Sequence, residues 1–156
     1  MARTVDGKAL KTRTTFQMCC TVAASIAAPS EKVWSLLTDA VGYTRWNSTL
    51  TSLEGSISLG GVVRMTVPES PGRTFRAKVS EFEPNRAMVW RDGFAPMFEG
   101  VRTFTLEQRG ADATYFTMSE EFSGLMLPLI AGKLPDFAPI FERYAADLKR
   151  AAETRG

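Results

Sequence analysis

The chain has 156 residues, enough for one domain that buries roughly two-thirds of the surface its unfolded form exposes, and no second core is needed. Its 44% hydrophobic and 23% charged residues are ordinary for a globular domain, and a net charge of +2 offers no broad basic footprint for nucleic acid. The absence of histidine removes the commonest metal ligand and the usual neutral-pH acid/base, which excludes histidine-based triads and histidine-containing zinc sites.

Residues 1–13 show no period and read as a loose tail, with one folded domain expected over residues 14–153. Lys8, Lys11 and Arg13 ahead of the apolar run 18–28 loosely imitate a secretory leader. That run, however, alternates: Phe16, Met18, Cys20, Val22, Ala24 and Ile26 on one side, Thr15, Gln17, Cys19, Thr21, Ala23 and Ser25 on the other. A half-buried strand in a cytoplasmic protein is therefore expected. Adjacent Cys19 and Cys20 would point to opposite faces of it, so they read as two buried thiols rather than a disulfide. A reactive or metal-binding pair would need further ligands, and none is found; no metal site is assigned.

Pro29 and Ser30 open a short helix, with Ser30 as its N-cap, Glu31 at the positive end of its dipole, and Val33, Trp34 and Leu37 on one apolar face. Asp39 caps a second short turn over residues 41–45, which ends at Trp46 and Asn47.

From there to Gly124, turn signals recur at Gly60-Gly61, 68–72, Pro84-Asn85, Asp92-Gly93 and 110–112, the spacing of an antiparallel meander. Strands are expected near residues 50–57, 62–67, 74–82, 87–91, 98–108 and 113–123. Phe75, Ala77 and Val79 alternate with Arg76, Lys78 and Ser80, so one face is dry and the other wet. Arg64 shares parity with Val62 and Thr66 and reads as solvated. There is no internal repeat and no glycine-rich phosphate loop.

Over residues 126–152, Ile130, Leu134, Phe137, Phe141, Tyr144, Ala145, Leu148 and Ala152 recur at steps of three and four, one face of a helix. Lys133, Asp136, Glu142, Arg143, Lys149 and Arg150 mostly take the other side, so the segment reads as a long amphipathic helix and not a membrane span. Pro135 and Pro139 predict a kink or break over residues 132–139. The order is an α+β fold: a seven-stranded antiparallel sheet curled around the C-terminal helix, with two short helices between the first and second strands.

Two residues break the apolar pattern. Arg102 shares parity with Phe98, Phe104 and Leu106, and Glu120 with Phe116, Met118 and Phe122, so both point inward. Keeping both apolar faces together requires an odd loop around Gly110: five residues set Arg102 opposite Glu120, three set them on a diagonal. The pair is either an internal salt bridge or a polar anchor within an apolar pocket.

The runs IAAPSEKVWSLLTDAVGYTRWN, VSEFEPNRAMVWRDG and FEGVRTFTLEQRGADATYFTMSEEFSG resemble the polyketide cyclase/dehydrase and lipid-transport branch of the START-like (SRPBCC) helix-grip superfamily, the fold of the birch-pollen allergen. The resemblance covers residues 14–153. Its marks are the Ala-Pro-x-x-x-Val-Trp helix start, Trp46-Asn47, Trp90 and Phe122-x-Gly124; Ser48 stands where a proline is frequent. The resemblance implies a deep cavity between sheet and long helix, with Tyr43, Arg45 and Asn47 in the helix-loop region on one rim; the prolines of residues 124–139 predict a looser backbone there, able to act as a gate over the cavity mouth. It supplies no invariant catalytic set, and no catalytic residue or cofactor is assigned.

The candidate ligand-binding residues are Met65, Phe75, Met88, Trp90, Phe98, Arg102, Phe104, Phe116, Met118, Glu120, Phe122, Met126, Phe137 and Phe141. Taken one at a time, the aromatic and Met positions are more often plain core than cavity lining. The resemblance implies binding or carriage of an apolar small molecule such as a lipid, an isoprenoid or a polyketide-like aromatic. Its alternatives are a polyketide aromatase/cyclase, with Arg102, a tyrosine and water orienting the chain, and a protein-interaction module. Neither a nucleic-acid partner nor an integral membrane segment is expected.

Overall fold

The most regular alternation in the chain becomes β2 (Gln17–Ile26), the strand on which the C-terminal helix rests. A computed structural model of the protein describes residues 5–154. Its strands are β1 (Ala9–Arg13), β2, β3 (Ser52–Gly55), β4 (Val62–Thr66), β5 (Phe75–Glu83), β6 (Ala87–Phe94), β7 (Phe98–Gln108) and β8 (Thr114–Ser123). They form one antiparallel sheet in the order β1-β2-β8-β7-β6-β5-β4-β3. Helices α1 (Ser30–Thr38) and α2 (Tyr43–Trp46) lie between β2 and β3. After β8 come α3 (Leu127–Ile130), a 3-10 turn (Ala131–Lys133) and α4 (Phe137–Glu153).

The sheet has eight strands, not seven. The extra one is β1, within residues assigned from the sequence to a tail; residues 1–4 of that tail lie outside the described residues. β1 has no side-chain period because it is held by its backbone, through pairing with β2 from Ala9 opposite Val22 to Arg13 opposite Met18. Two contacts then clasp it to α4. The Ala9 N–H donates to Glu142 Oε2 at 3.0 Å, and Lys11 Nζ to Asp136 Oδ1 at 2.8 Å.

Ser30 is not the N-cap of α1. Pro29 holds that position, and Ser30 is buried, its N–H donating to Gln108 Oε1 and its hydroxyl paired with Thr114 Oγ1 at 3.1 Å. Thr114 also donates to the Ala28 carbonyl, so α1 is anchored to the ends of β7 and β8. Asp39 is not the N-cap of α2 either: Gly42 holds that position, and Asp39 accepts the Gly42 N–H at 3.2 Å in the turn that leads into the helix.

The prolines settle where the final helix begins. Residues 127–133 form only α3 and the 3-10 turn, and α4 starts afresh at Phe137, with Asp136 accepting the Ala138 N–H at 3.1 Å. Pro139 falls in the first turn of α4, where no intrahelical hydrogen bond is lost. Gly124 ends β8 with φ of 135°, and a Cβ there would sit 2.3 Å from the Met97 carbonyl oxygen. Only glycine allows the β6–β7 turn to come this close.

Phe141, Tyr144, Ala145, Leu148 and Ala152 of α4 are buried against the sheet together with Val22, Ala24 and Ile26 of β2, Met88 and Trp90 of β6, Phe104 of β7 and Phe116 and Met118 of β8. Each large side chain removed from water here contributes about 1.5 to 3 kcal/mol before ordering entropy. No helix among the described residues is long and apolar enough to cross a membrane.

Candidate functional site

Directly opposed residues of an antiparallel pair share a face, and the registers here align one polar row across the sheet. Lys11 opposes Cys20, Cys20 opposes Glu120, Glu120 opposes Arg102, and Arg102 opposes Trp90. The row runs beneath α4, tied to it at one end by Lys11 and Asp136 and covered at its centre by Phe141 and Tyr144. Their rings lie 5.2 and 5.8 Å from the Arg102 guanidinium carbon.

The β7–β8 connection has five residues, since Gln108 pairs with Thr114, and Arg102 faces Glu120 directly. Arg102 Nε and Nη2 both lie 2.5 Å from Glu120 Oε2, and the two side chains retain only 17% and 14% exposure. Burial works against the Arg102 charge, yet the Glu120 carboxylate and the adjoining Tyr144 phenol hold its pKa above the ordinary value.

Next to this pair, Tyr43 of α2 and Tyr144 of α4 join their hydroxyls in a buried hydrogen bond. Burial lifts the Tyr43 phenol well above its ordinary pKa and the Tyr144 phenol to about 12, while Arg102 pulls each the other way. Both stay protonated at neutral pH and act as hydrogen-bonding groups, not as bases. Asn47 is fully buried and turns the chain by accepting the Thr49 N–H at 3.0 Å and the Thr49 hydroxyl at 2.6 Å. Ser48, in the place of a frequent proline, donates its N–H and hydroxyl to the buried Asp147 of α4 at 2.8 and 2.7 Å. A proline could donate neither.

A row of rings runs from Phe98 to Phe141, whose ring covers Arg102. Phe98 stacks on Phe122 at 5.8 Å, Phe122 on Phe137 at 5.2 Å, and Phe137 meets Phe141 edge-on at 6.0 Å. Phe122 and Phe137 line a pocket of about 80 Å³ with Lys11, Cys20, Pro135 and Asp136. The cavity implied by resemblance therefore does not stand open under α4. Ligand pockets usually hold about 300 to 1,000 Å³, whereas here Phe104, Phe116, Met118, Phe141 and Tyr144 fill the space between sheet and helix. A wider recess of about 460 Å³, lined by Ser30, Asn85, Arg86 and Gln108 among others, is a shallow surface groove.

Of the candidate residues, Met88, Trp90, Arg102, Phe104, Phe116, Met118, Glu120 and Phe141 come together under α4. Phe98, Phe122 and Phe137 form the ring row beside the small pocket, and Met126 is placed with none of them, its N–H donating to the Met97 carbonyl at 2.9 Å. Met65 and Phe75 pair with each other between β4 and β5, and Phe75 is covered by Arg73 at 4.9 Å. Arg64 is exposed, as parity predicts. Among the described residues, no three Cys, Asp or Glu side chains lie close enough to hold a metal ion. Burial, reinforced by Cys19, pushes the Cys20 thiol up to about 11.

The sequence profile of the polyketide cyclase/dehydrase and lipid-transport family matches residues 17–153. The chain belongs to that family. Among solved structures, the family fold is matched by a START superfamily protein from Mycobacterium smegmatis at 19% identity and TM-score 0.64, over 86% of this chain and 97% of that one. Norcoclaurine synthase from Thalictrum flavum, in complex with dopamine and hydroxybenzaldehyde, matches at 15% identity and TM-score 0.66, over 94% and 96%. A Helicobacter pylori protein matches at 15% identity and TM-score 0.68, over 85% and 86%. No curated protein matches the sequence.

The sequence reading leaves Lys11, Cys20, Trp46 and Asp147 out of the site, names Tyr43 and Asn47 only on the rim of the family cavity, and gives Tyr144 only a place on the apolar stripe of the last helix. Tyr144 carried a usable signal: it sits on the apolar stripe of α4 one turn from Phe141.

Proposed function

We propose that the protein binds or carries an apolar small molecule between its sheet and α4, with Arg102 as the polar anchor. The observation that carries this reading is the Arg102–Glu120 pair on the concave face, flanked by Phe141 and Tyr144 and reached through the Phe98–Phe122–Phe137 row. A structural ion pair needs no aromatic approach from the mouth. With only about 80 Å³ free there, the ligand enters when residues 124–136 swing away, a segment with no helix longer than four residues. Family membership supports a ligand of this class.

The test is to purify the protein, extract it with organic solvent and identify co-purifying molecules by mass spectrometry. An apolar compound present at near-stoichiometric amounts in wild type, and depleted in Arg102→Met/Glu120→Gln, is the expected result. An empty protein that also fails to bind apolar probes overturns the reading.

A second reading, a cyclase or dehydratase, is favoured by the protonated phenols beside Arg102, which are suited to polarising a ligand carbonyl. A structural relative, norcoclaurine synthase, supports the idea that this fold admits aromatic reactants. Turnover of the extracted ligand, seen as a change in its mass, separates enzyme from carrier.

A further inference from the structure

The cluster around Tyr43 holds more hydrogen-bond donors than acceptors. Asn47 and Trp90 are 0% and 2% exposed, and Asn47 Nδ2, Trp90 Nε1 and Trp46 Nε1 find no acceptor among the described residues. They belong to one neighbourhood: the Tyr43 ring lies 4.8 Å from Trp46 and 6.4 Å from Trp90, and Trp46 lies 5.9 Å from Tyr144. The Asn47 amide approaches the Tyr144 hydroxyl without closing a full hydrogen bond. The phenol pair adds a fourth donor, because whichever hydroxyl accepts keeps its own proton.

Buried N–H groups in folded proteins are almost always paired, with protein or with ordered water, so an oxygen from outside the chain, that of a bound water or of a ligand that displaces it, completes this cluster. Charge decides what kind. Arg102 is matched by Glu120 and Lys11 by Asp136, which leaves no surplus positive charge under α4 to balance an anion. A carboxylate pushed in here would leave a net negative charge in a low-dielectric interior. The orphaned donors are themselves neutral.

We propose that Trp46, Asn47 and Trp90 form a binding site for a neutral oxygen acceptor, the carbonyl of a ketone, ester or quinone on an otherwise apolar molecule. This rests on the apolar-ligand reading and names the group by which the ligand is recognised. A site built to hydrogen-bond a polar atom strongly rejects the analogue that lacks it, since its buried donors are then left bare. The remainder of the molecule would lie along Arg102 and Phe141 only once residues 124–136 have moved aside, since the interior is otherwise filled.

The test uses ¹⁵N-labelled protein and three probes of nearly one shape: 2-acetonaphthone, 2-ethylnaphthalene and 2-naphthoate. The three tryptophans give three indole N–H signals, and Trp34, packed on Phe82, serves as the internal control. The ketone should bind at least about tenfold more tightly than the hydrocarbon or the carboxylate, and should move the Trp46 and Trp90 signals downfield while leaving Trp34 in place. Trp90→Phe keeps a ring and drops the N–H. It should lose most of the ketone-over-hydrocarbon preference, the ratio of the two affinities being the readout, and Trp46→Phe carries the same test if that variant does not fold. Equal binding of ketone and hydrocarbon, with both indole signals unmoved, overturns the carbonyl site and leaves the apolar-ligand reading standing. Tightest binding by the carboxylate also overturns it and assigns recognition to Arg102. Failure of all three probes to bind overturns the carbonyl site, and it removes the apolar-ligand reading as well if solvent extraction also finds the protein empty.

Discussion

Arg102 and Glu120 stand directly opposite each other across β7 and β8, with two guanidinium nitrogens converging on one carboxylate oxygen at 2.5 Å. The pair is tied sideways to Cys20 and Lys11 on one flank and to Trp90 on the other. A charge on this face therefore has few ways to be rearranged. Removing one partner strands the other in a layer roofed by Phe141 and Tyr144.

Arg102→Met should destabilise the fold by roughly 3 kcal/mol, the lower end for a broken buried pair because both side chains keep some contact with water. Arg102→Met with Glu120→Gln should recover most of that loss. If the pair is also the anchor, the double variant will be stable yet bind its ligand at least about tenfold more weakly, a difference of about 1.4 kcal/mol. Denaturant melts and binding isotherms on the same samples check both halves. A double variant no more stable than the single one would show that the two charges are not coupled.

Residues 124–136 should exchange their amide hydrogens well before the body of α4. The segment holds two single-turn elements and three exposed prolines or glycines, whereas α4 buries Phe141, Tyr144, Leu148 and Ala152. Asp136→Ala, which frees the Lys11 clasp and removes the cap of α4, should speed exchange over residues 131–140 and accelerate ligand uptake. Equal protection in both halves of the segment 124–153 would remove the gate.

Asp147 is a buried carboxylate that accepts both donors of Ser48. Asp147→Ala should cost about 2 kcal/mol by leaving a backbone N–H unpaired, and Ser48→Ala, which keeps that N–H, about 1 kcal/mol. Arg150 also reaches Asp147 but is 71% exposed, so Arg150→Ala should cost less than about 0.5 kcal/mol. Thermal melts of the three variants give the ranking directly.

Cys20 carries a pH dependence whose sign follows from its burial. Its thiol is raised from 9.0 to about 11, so above pH 9 the unfolded chain loses this proton first and the folded state is progressively disfavoured. Stability from this group is complete below pH 9 and is lost as pH rises toward 11, on the order of 2 kcal/mol in all. The fall in melting temperature between pH 9 and 11 should be shallower in Cys20→Ala than in wild type. An unchanged slope would mean that the thiol is wetter than its 4% exposure implies.

Local pattern accounts for most of the elements and their faces. Period-two alternation and turn residues locate β2 and β4 to β8, except that β6 runs on to Phe94 through the turn expected at Asp92-Gly93; the 3.6-residue stripe locates α4, and the prolines locate its start. The same period places Arg102 and Glu120 inward, and the need for an odd loop limits them to opposite or diagonal positions. These readings hold because they depend on residues within a turn or two of each other. The remainder depends on contacts between distant segments. β1 is a strand only because the backbone edge of β2 is there to pair with it. The row from Lys11 through Cys20, Glu120 and Arg102 to Trp90 exists only because β2 pairs with β8, a register between segments about a hundred residues apart. By its spacing Asp147 is one more helix charge, and only the fold sets Ser48 against it. The closed interior and the unmatched donors of Trp46, Asn47 and Trp90 follow from how side chains fill space once the sheet and α4 have met. Periodicity reports which way a side chain points, but not whether an acceptor will be waiting there.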